Sequence, residues 1–340
     1  MFLVVFQHFI THLRAGLPNG ELPTWFDLAW QPVTALRLPM LFFVSGIFLP
    51  RSLAKGESYF WKSKPLRMTY LFVVWWLILF PTDLLNRTVV GDMSLLEAIK
   101  LGVYHEGLTM HTVLWYLAAL ALYYTYWRIT LRLPLLLNVL TAVFIYFLSG
   151  IRFDGPLAFI TRDLLKYLIF FMAGTWLNTK AVNRIPRTTN LTVGISLLLL
   201  GSAYYMLSRL MSAGAWRGFQ WAVWLGIQIL SILLFLILCH RIEVFRFAKV
   251  GHYLGARTLP IYVMHWPIVM FFSELIIHWG HGRISNTVFV LSTCVLSVVV
   301  PGITLGVKAL SGSRTAFLWD PPFQPVAGKL PRETGLPLTT

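Results

Sequence analysis

Acidic residues are scarce in this 340-residue chain, 13 Asp and Glu against 28 Lys and Arg. Nearly all of them fall between apolar stretches, which argues against proton-coupled transport through paired intramembrane acids. Cysteine is scarcer still. Cys239 and Cys294 lie in separate apolar stretches, so neither a disulfide framework nor a CxxC metal site is available. The P-loop, the dinucleotide fingerprint and HExxH are all missing, and no internal repeat of the transporter kind stands out. Charged residues are only 12% of the chain, and the net +15 is dispersed over short loops, so nucleic acid is not an expected partner.

Apolar residues make up 57% of the sequence, with a mean hydropathy of +0.69. A soluble domain of this size needs far more polar surface, so the chain reads as an all-α membrane protein with about ten transmembrane helices. The candidate spans lie near 1–13, 32–50, 67–85, 112–129, 133–149, 163–179, 189–209, 219–239, 256–276 and 287–308. With a cytoplasmic N-terminus, the inside loops carry +14 and the outside loops −1. Cytoplasmic loops collect Lys and Arg, so both termini are expected inside. The reading gives one transmembrane domain, 1–310, and a poorly ordered cytoplasmic tail, 311–340, rich in Pro, Gly and Thr.

The first span is short: 13 residues interrupted by His8 and His12, where a helix needs about 20 to cross the hydrocarbon. The charge pattern still requires a crossing there, and nothing resembles a signal-peptide cleavage site. The expectation is that the first helix is truncated and the natural chain begins earlier.

Polar groups inside spans are costly and therefore informative. His8 and His12, four apart, share a helix face. Arg37 lies in the second span. His265 falls about 12 Å along the ninth, near mid-membrane. Between Arg51 and Arg67 a loop carries five cations and one acid, Glu57. Desolvation holds a buried imidazole neutral, able to accept a proton from a hydroxyl. Nearby cations would bind phosphates or an oxyanion. Together these describe acyl transfer in which a base activates the acceptor for direct attack on a thioester. The plain structural readings are equally available from these residues. An intramembrane His is often an interhelical hydrogen-bonding group, an Arg snorkels, a basic loop is a topology signal, and Ser45-Gly46 is more often close helix packing than a nucleophile. His105, Glu106 and His111 have no specific metal-ligand spacing, so no metal is expected.

Several stretches, in order over nearly the whole chain, resemble the acyltransferase-3 family of ten-span membrane acyltransferases. They are Val4-Val5-Phe6-Gln7-His8, Arg37-Leu-Pro-Met-Leu-Phe-Phe-Val-Ser45-Gly46-Ile-Phe, Phe60-Trp-Lys62-Ser-Lys64-Pro65-Leu-Arg67, His111-Thr-Val-Leu-Trp115-Tyr116-Leu117 and Ile261-Tyr262-Val-Met-His265-Trp-Pro267. Ile47 departs from the family's usual aromatic. An Arg that the family places about three turns before the first-helix His would fall ahead of Met1. A slighter likeness is to the members that succinylate periplasmic glucans.

The resemblance implies an O-acyltransferase that moves an acetyl, or succinyl, group from cytoplasmic acyl-CoA to a hydroxyl of a glycan, lipid-linked sugar or small molecule. It implies residence in the lipid bilayer, as a multi-pass protein of a bacterial inner or plasma membrane. It makes His8 the general base, with Arg37 as its catalytic partner. Arg37, Lys62, Lys64 and Arg67 become candidates for the CoA phosphates or the active-site wall, and Trp115, His111 and His265 for substrate contacts. Acetyl-CoA is the expected donor by base rate. The rival reading is a transporter or flippase of a glycan or lipid-linked intermediate, using the same intramembrane groups as a pathway.

Overall fold

The computed structural model describes residues 1–17, 20–90, 93–108, 113–151, 164–183, 190–212, 217–242, 248–280 and 284–323. Among them no strand occurs, and each of the ten apolar stretches contains a helix. In chain order the helices are α1 (Phe2–Leu13), α2 (Thr24–Ile47), α3 (Leu49–Leu53), α4 (Glu57–Ser63), α5 (Pro65–Leu85), α6 (Leu95–Leu101), α7 (Trp115–Thr130) and α8 (Leu135–Leu148). They continue with α9 (Leu168–Asn183), α10 (Asn190–Ser212), α11 (Arg217–Ile242), α12 (Ala248–Gly255), α13 (Thr258–Trp279) and α14 (Asn286–Leu310).

Five stretches are long and apolar enough to cross a membrane: Val33–Leu53, Glu57–Val89, Gly218–Cys239, Thr258–Trp279 and Asn286–Leu310. Phe2–Leu13, Leu135–Leu148, Leu168–Leu177 and Thr192–Leu207 are apolar but shorter. Their outward faces leave large side chains such as Leu135, Leu136, Phe144 and Leu198 exposed. Lipid, not water, suits such a surface. The protein is an all-α membrane protein.

Local sequence sets the helix ends. Pro65 opens α5, where its missing N–H costs nothing. Ser285 caps α14 by accepting from the Val288 N–H at 3.2 Å. Asn138, buried early in α8, donates to the carbonyls of Thr130 and Leu133, both at 3.1 Å. It thereby satisfies groups that the end of α7 leaves open and holds α7 and α8 as a hairpin.

The closest helix crossing joins α2 and α9. A methyl on Gly46 would stand 2.1 Å from the Phe171 carbonyl oxygen, and one on Gly174 2.1 Å from that of Phe43. Only glycine permits this approach, the small-residue packing that bilayers favour. Gly46 therefore has the packing role that the Ser45-Gly46 pair suggests.

Two large apolar clusters flank α2. One gathers Phe42, Phe60, Tyr123, Tyr146 and Phe171 from α2, α4, α7, α8 and α9. The other gathers Val5, Phe9 and Leu13 of α1, Ile261 and Val269 of α13, and Phe289 and Val300 of α14. The N-terminal part of α2 (Phe26, Trp30) belongs to the second cluster and its C-terminal part (Phe42, Phe43, Ile47) to the first. Helix α13 is divided the same way, with Tyr262 in one cluster and Ile261 in the other. Arg37 and His265 thus sit along a seam between two cores.

Three features depart from the expected map. Helix α2 starts at Thr24, ahead of the apolar run near 32. The loop after α5 contains α6, opened by Ser94, which accepts from the Glu97 N–H and donates to its carboxylate. Residues 311–323, expected in a poorly ordered tail, pack on α5. Leu318 accepts from Trp75 Nε1 at 2.8 Å, Trp319 is buried against Trp75, and Asp320 bonds Arg67. Residues 324–340 of that tail lie outside the described residues.

Candidate active site at the helix seam

Contacts on both sides set the rotation of α1. Val5, Phe9 and Leu13 are buried in the cluster shared with α13 and α14. Gln7 accepts from Trp30 Nε1 at 2.6 Å, and Phe6 packs on the same indole with ring centroids 4.6 Å apart. With those faces engaged by α14 and α2, His8 meets α13. Its ring lies 5.1 Å from the His265 ring and 5.2 Å, edge-on, from Trp266. One turn later His12 also meets Trp266 edge-on, 4.8 Å between centroids. The helix spacing that puts His8 and His12 on one face is therefore used to grip one indole.

His265 is held from behind. Its Nδ1 lies against the Tyr262 carbonyl, and its ring is 5.5 Å from the Tyr262 ring. The Tyr262 hydroxyl donates to the Val113 carbonyl and accepts from the Tyr116 N–H at 3.3 Å. The Tyr116 hydroxyl in turn shares a 2.8 Å hydrogen bond with Ser45 Oγ, which also donates to the Leu41 carbonyl at 2.9 Å. A continuous set of contacts thus runs from His8 through α13 and α7 to the Gly46 crossing. Pro267, two residues after His265, removes the backbone bond that would reach the Val263 carbonyl.

Arg37 enters from α2. It is close enough to His8 and to Tyr167 for their charges to interact. Its Nε and Nη1 are buried with no hydrogen-bond partner, and none of the ion pairs among the described residues involves it. A guanidinium without a counter-ion at a buried seam is unfavourable by itself and complementary to an anion. Phe42, Tyr167 and Trp115 wall this region, with Tyr167 stacked on Phe42 at 5.3 Å and tilted against Trp115 at 5.9 Å.

The basic segment lies elsewhere. Lys62 is exposed on α4. Lys64 is half-buried with its ammonium 5.7 Å from the Tyr124 ring of α7. Arg67 is bonded to Asp320 of the C-terminal segment. Glu57, the one acid here, accepts from Arg128 at 2.8 and 2.9 Å and from Trp61 at 2.7 Å, tying α4 to α7.

The family model described as an acyltransferase domain matches residues 1–306. The chain belongs to the acyltransferase-3 family. Neither a curated protein nor a solved structure matches it. Family membership makes the seam a candidate active site within a membrane acyltransferase.

Among the residues singled out from the sequence, the structure brings His8, Arg37 and His265 to this seam, with Trp115 on its wall. Lys62, Lys64 and Arg67 gather at a second place, by α7 and the C-terminal segment. His111 lies outside the described residues, as do the side chains of His105 and Glu106. His265, expected to touch substrate, has no exposed surface. Trp266 was missed. Its only sequence signal is adjacency to His265, because the i,i+4 pair it clamps is on another helix. Tyr262 and Ser45 were read as motif members, and nothing linear shows that they are bridged through Tyr116.

Proposed function

We propose that this family member is an O-acyltransferase moving an acetyl, or succinyl, group from cytoplasmic acyl-CoA to a hydroxyl of a glycan, a lipid-linked sugar or a small molecule. Polysaccharide O-acetylation is one activity of this kind, in a multi-pass protein of a bacterial inner or plasma membrane with both termini inside. The observation that carries the reading is Arg37, close enough to His8 for their charges to interact, whose Nε and Nη1 are buried with no hydrogen-bond partner among the described residues.

The chemistry follows from these two residues. A neutral His8 takes the acceptor's hydroxyl proton as that oxygen attacks the thioester carbonyl. Negative charge grows on the carbonyl oxygen, and Arg37, already desolvated and in place, offsets it without reorganising. The carbon–sulfur bond then breaks, and the thiolate leaves with the proton that His8 received. No acyl-protein intermediate is needed, consistent with a Ser45 hydroxyl that is committed to Leu41 and Tyr116. Lys62, exposed, and Lys64, half-buried, suit the donor's phosphates as point charges. Arg67 would do so on release from Asp320.

The test is acyl transfer in membranes with acetyl-CoA or succinyl-CoA, comparing the wild type with His8→Ala. Loss of transfer in a variant that still folds supports the base. Transfer surviving in that variant removes it. A folded wild type that turns over neither donor moves the transporter reading ahead.

A further inference from the structure

His265 is the most deeply buried polar group at the seam. It is 0% exposed, and its Nε2 is buried with no partner. The Tyr262 carbonyl beside its Nδ1 can only accept. Nδ1 therefore carries the ring hydrogen, and Nε2 keeps its lone pair. Two donors are close to that lone pair: the Met1 ammonium, near enough for its charge to act on His265, and a ring N–H of His8, whose ring centroid is 5.1 Å away and which faces His265 ring to ring. Trp266 closes the other side of His8.

We infer that His265 is a positioning residue that accepts a hydrogen bond from a His8 N–H and so selects the His8 tautomer whose other nitrogen can take the acceptor's proton. The inference rests on the reading of His8 as base. No hydrogen bond joins the two rings as they stand. At this separation a small rotation about the terminal torsion, which is soft for His, brings one nitrogen of each together. The order is then Tyr262 carbonyl, His265 Nδ1–H, His265 Nε2, His8 N–H and the bare His8 nitrogen. This is the logic of a base oriented by a third group, with one difference. The orienting group is neutral. A carboxylate in its place would pair with Arg37 and cancel the charge reserved for the reaction; an imidazole orients His8 and leaves Arg37 cationic. Once His8 has taken the proton, the added charge is shared across the His8–His265 hydrogen bond.

Two variants separate this role from a packing role. In His265→Gln the side-chain amide reaches the Nε2 position and retains an acceptor for His8. In His265→Asn the amide reaches only the Nδ1 position, keeping the bond to Tyr262 and losing the acceptor. His265→Phe fills the space with neither. Positioning predicts that Gln keeps kcat within about ten-fold, while Asn and Phe lose about a hundred-fold, with KM for donor and acceptor unchanged. A packing role predicts Asn at least as active as Gln, and that result, or an active Phe variant, overturns the inference. So would equal losses in all three variants accompanied by lowered thermal stability.

A second readout does not require turnover. In isotope-labelled protein, the His265 Nε2 resonance should move on His8→Ala while its Nδ1 stays protonated. An unmoved Nε2 resonance overturns the inference even if the enzyme is active. Full activity of His8→Ala would remove the proposed base, and with it anything to position, whereas loss with Asn but not Gln can arise only if both hold.

Discussion

Arg37 and Arg67 are both arginines at helix–helix contacts, and the protein treats them in opposite ways. Arg67, at the start of α5, is bonded to Asp320, and nearby Arg128 is bonded to Glu57. Arg37 holds two buried guanidinium nitrogens with no hydrogen-bond partner, and it enters none of the ion pairs among the described residues. A paired cation explains itself as fastening. A buried cation left with open hydrogen-bond donors costs stability and persists where something else requires its charge. That contrast, rather than the number of cations, separates the candidate reaction centre from the basic segment.

The comparison can be broken most sharply at His8. His8→Ala should lower acyl transfer by about 10²- to 10⁴-fold, the span of a lost general base, and a membrane transfer assay reads it. Next comes Arg37→Met. Loss of the oxyanion partner should reduce kcat by about 10²-fold, while thermal stability holds or rises because a desolvated charge has gone. A variant that is less stable yet fully active would show Arg37 to be fastening like Arg67. Gly174→Ala tests the frame beneath both places. A methyl 2.1 Å from the Phe43 carbonyl must part α2 from α9, costing about 1–3 kcal/mol as overpacking does. A lowered melting temperature in detergent measures it. Neutralising Lys62, Lys64 and Arg67 together should raise KM for the acyl-CoA several-fold with kcat little changed, whereas unaltered donor dependence would return them to a topological role. The smallest effect is expected from Glu57→Gln. Its pair with Arg128 is solvent-exposed, at 48% for the glutamate side chain, and solvent screens such pairs so that losing one barely moves the melting temperature.

Much of the fold is legible because lipid imposes one rule: backbone polar groups must bond within the segment, so long apolar runs become helices. All ten runs do. What escaped that rule was amphipathic. The start of α2 at Thr24 mixes Asp27 and Gln31 with Trp25 and Trp30. The α6 segment alternates Leu95, Leu96 and Ile99 with Glu97 and Lys100. The docking of residues 311–323 depends on Trp319 finding Trp75, which hydropathy does not register. At the site, His8, Arg37 and His265 were each visible as polar groups in apolar surroundings, and the family's motif order made them candidates together. The same reasoning grouped Arg37 with Lys62, Lys64 and Arg67 as cations, and the fold divides them.

The sequence by itself determined that this is an all-α membrane protein of the acyltransferase-3 family and which polar residues lie inside its helices, since hydropathy and motif order are properties of the linear chain. Only the tertiary structure decided that His8 faces His265, that Trp266 packs against His8 and His12, and that among the described residues Arg37 enters no ion pair where Arg67 has one. Those facts depend on how helices far apart in sequence cross and turn toward one another. The crossing is set by close contacts such as Gly46 on Phe171, and the turn of α1 by Trp30 on Gln7.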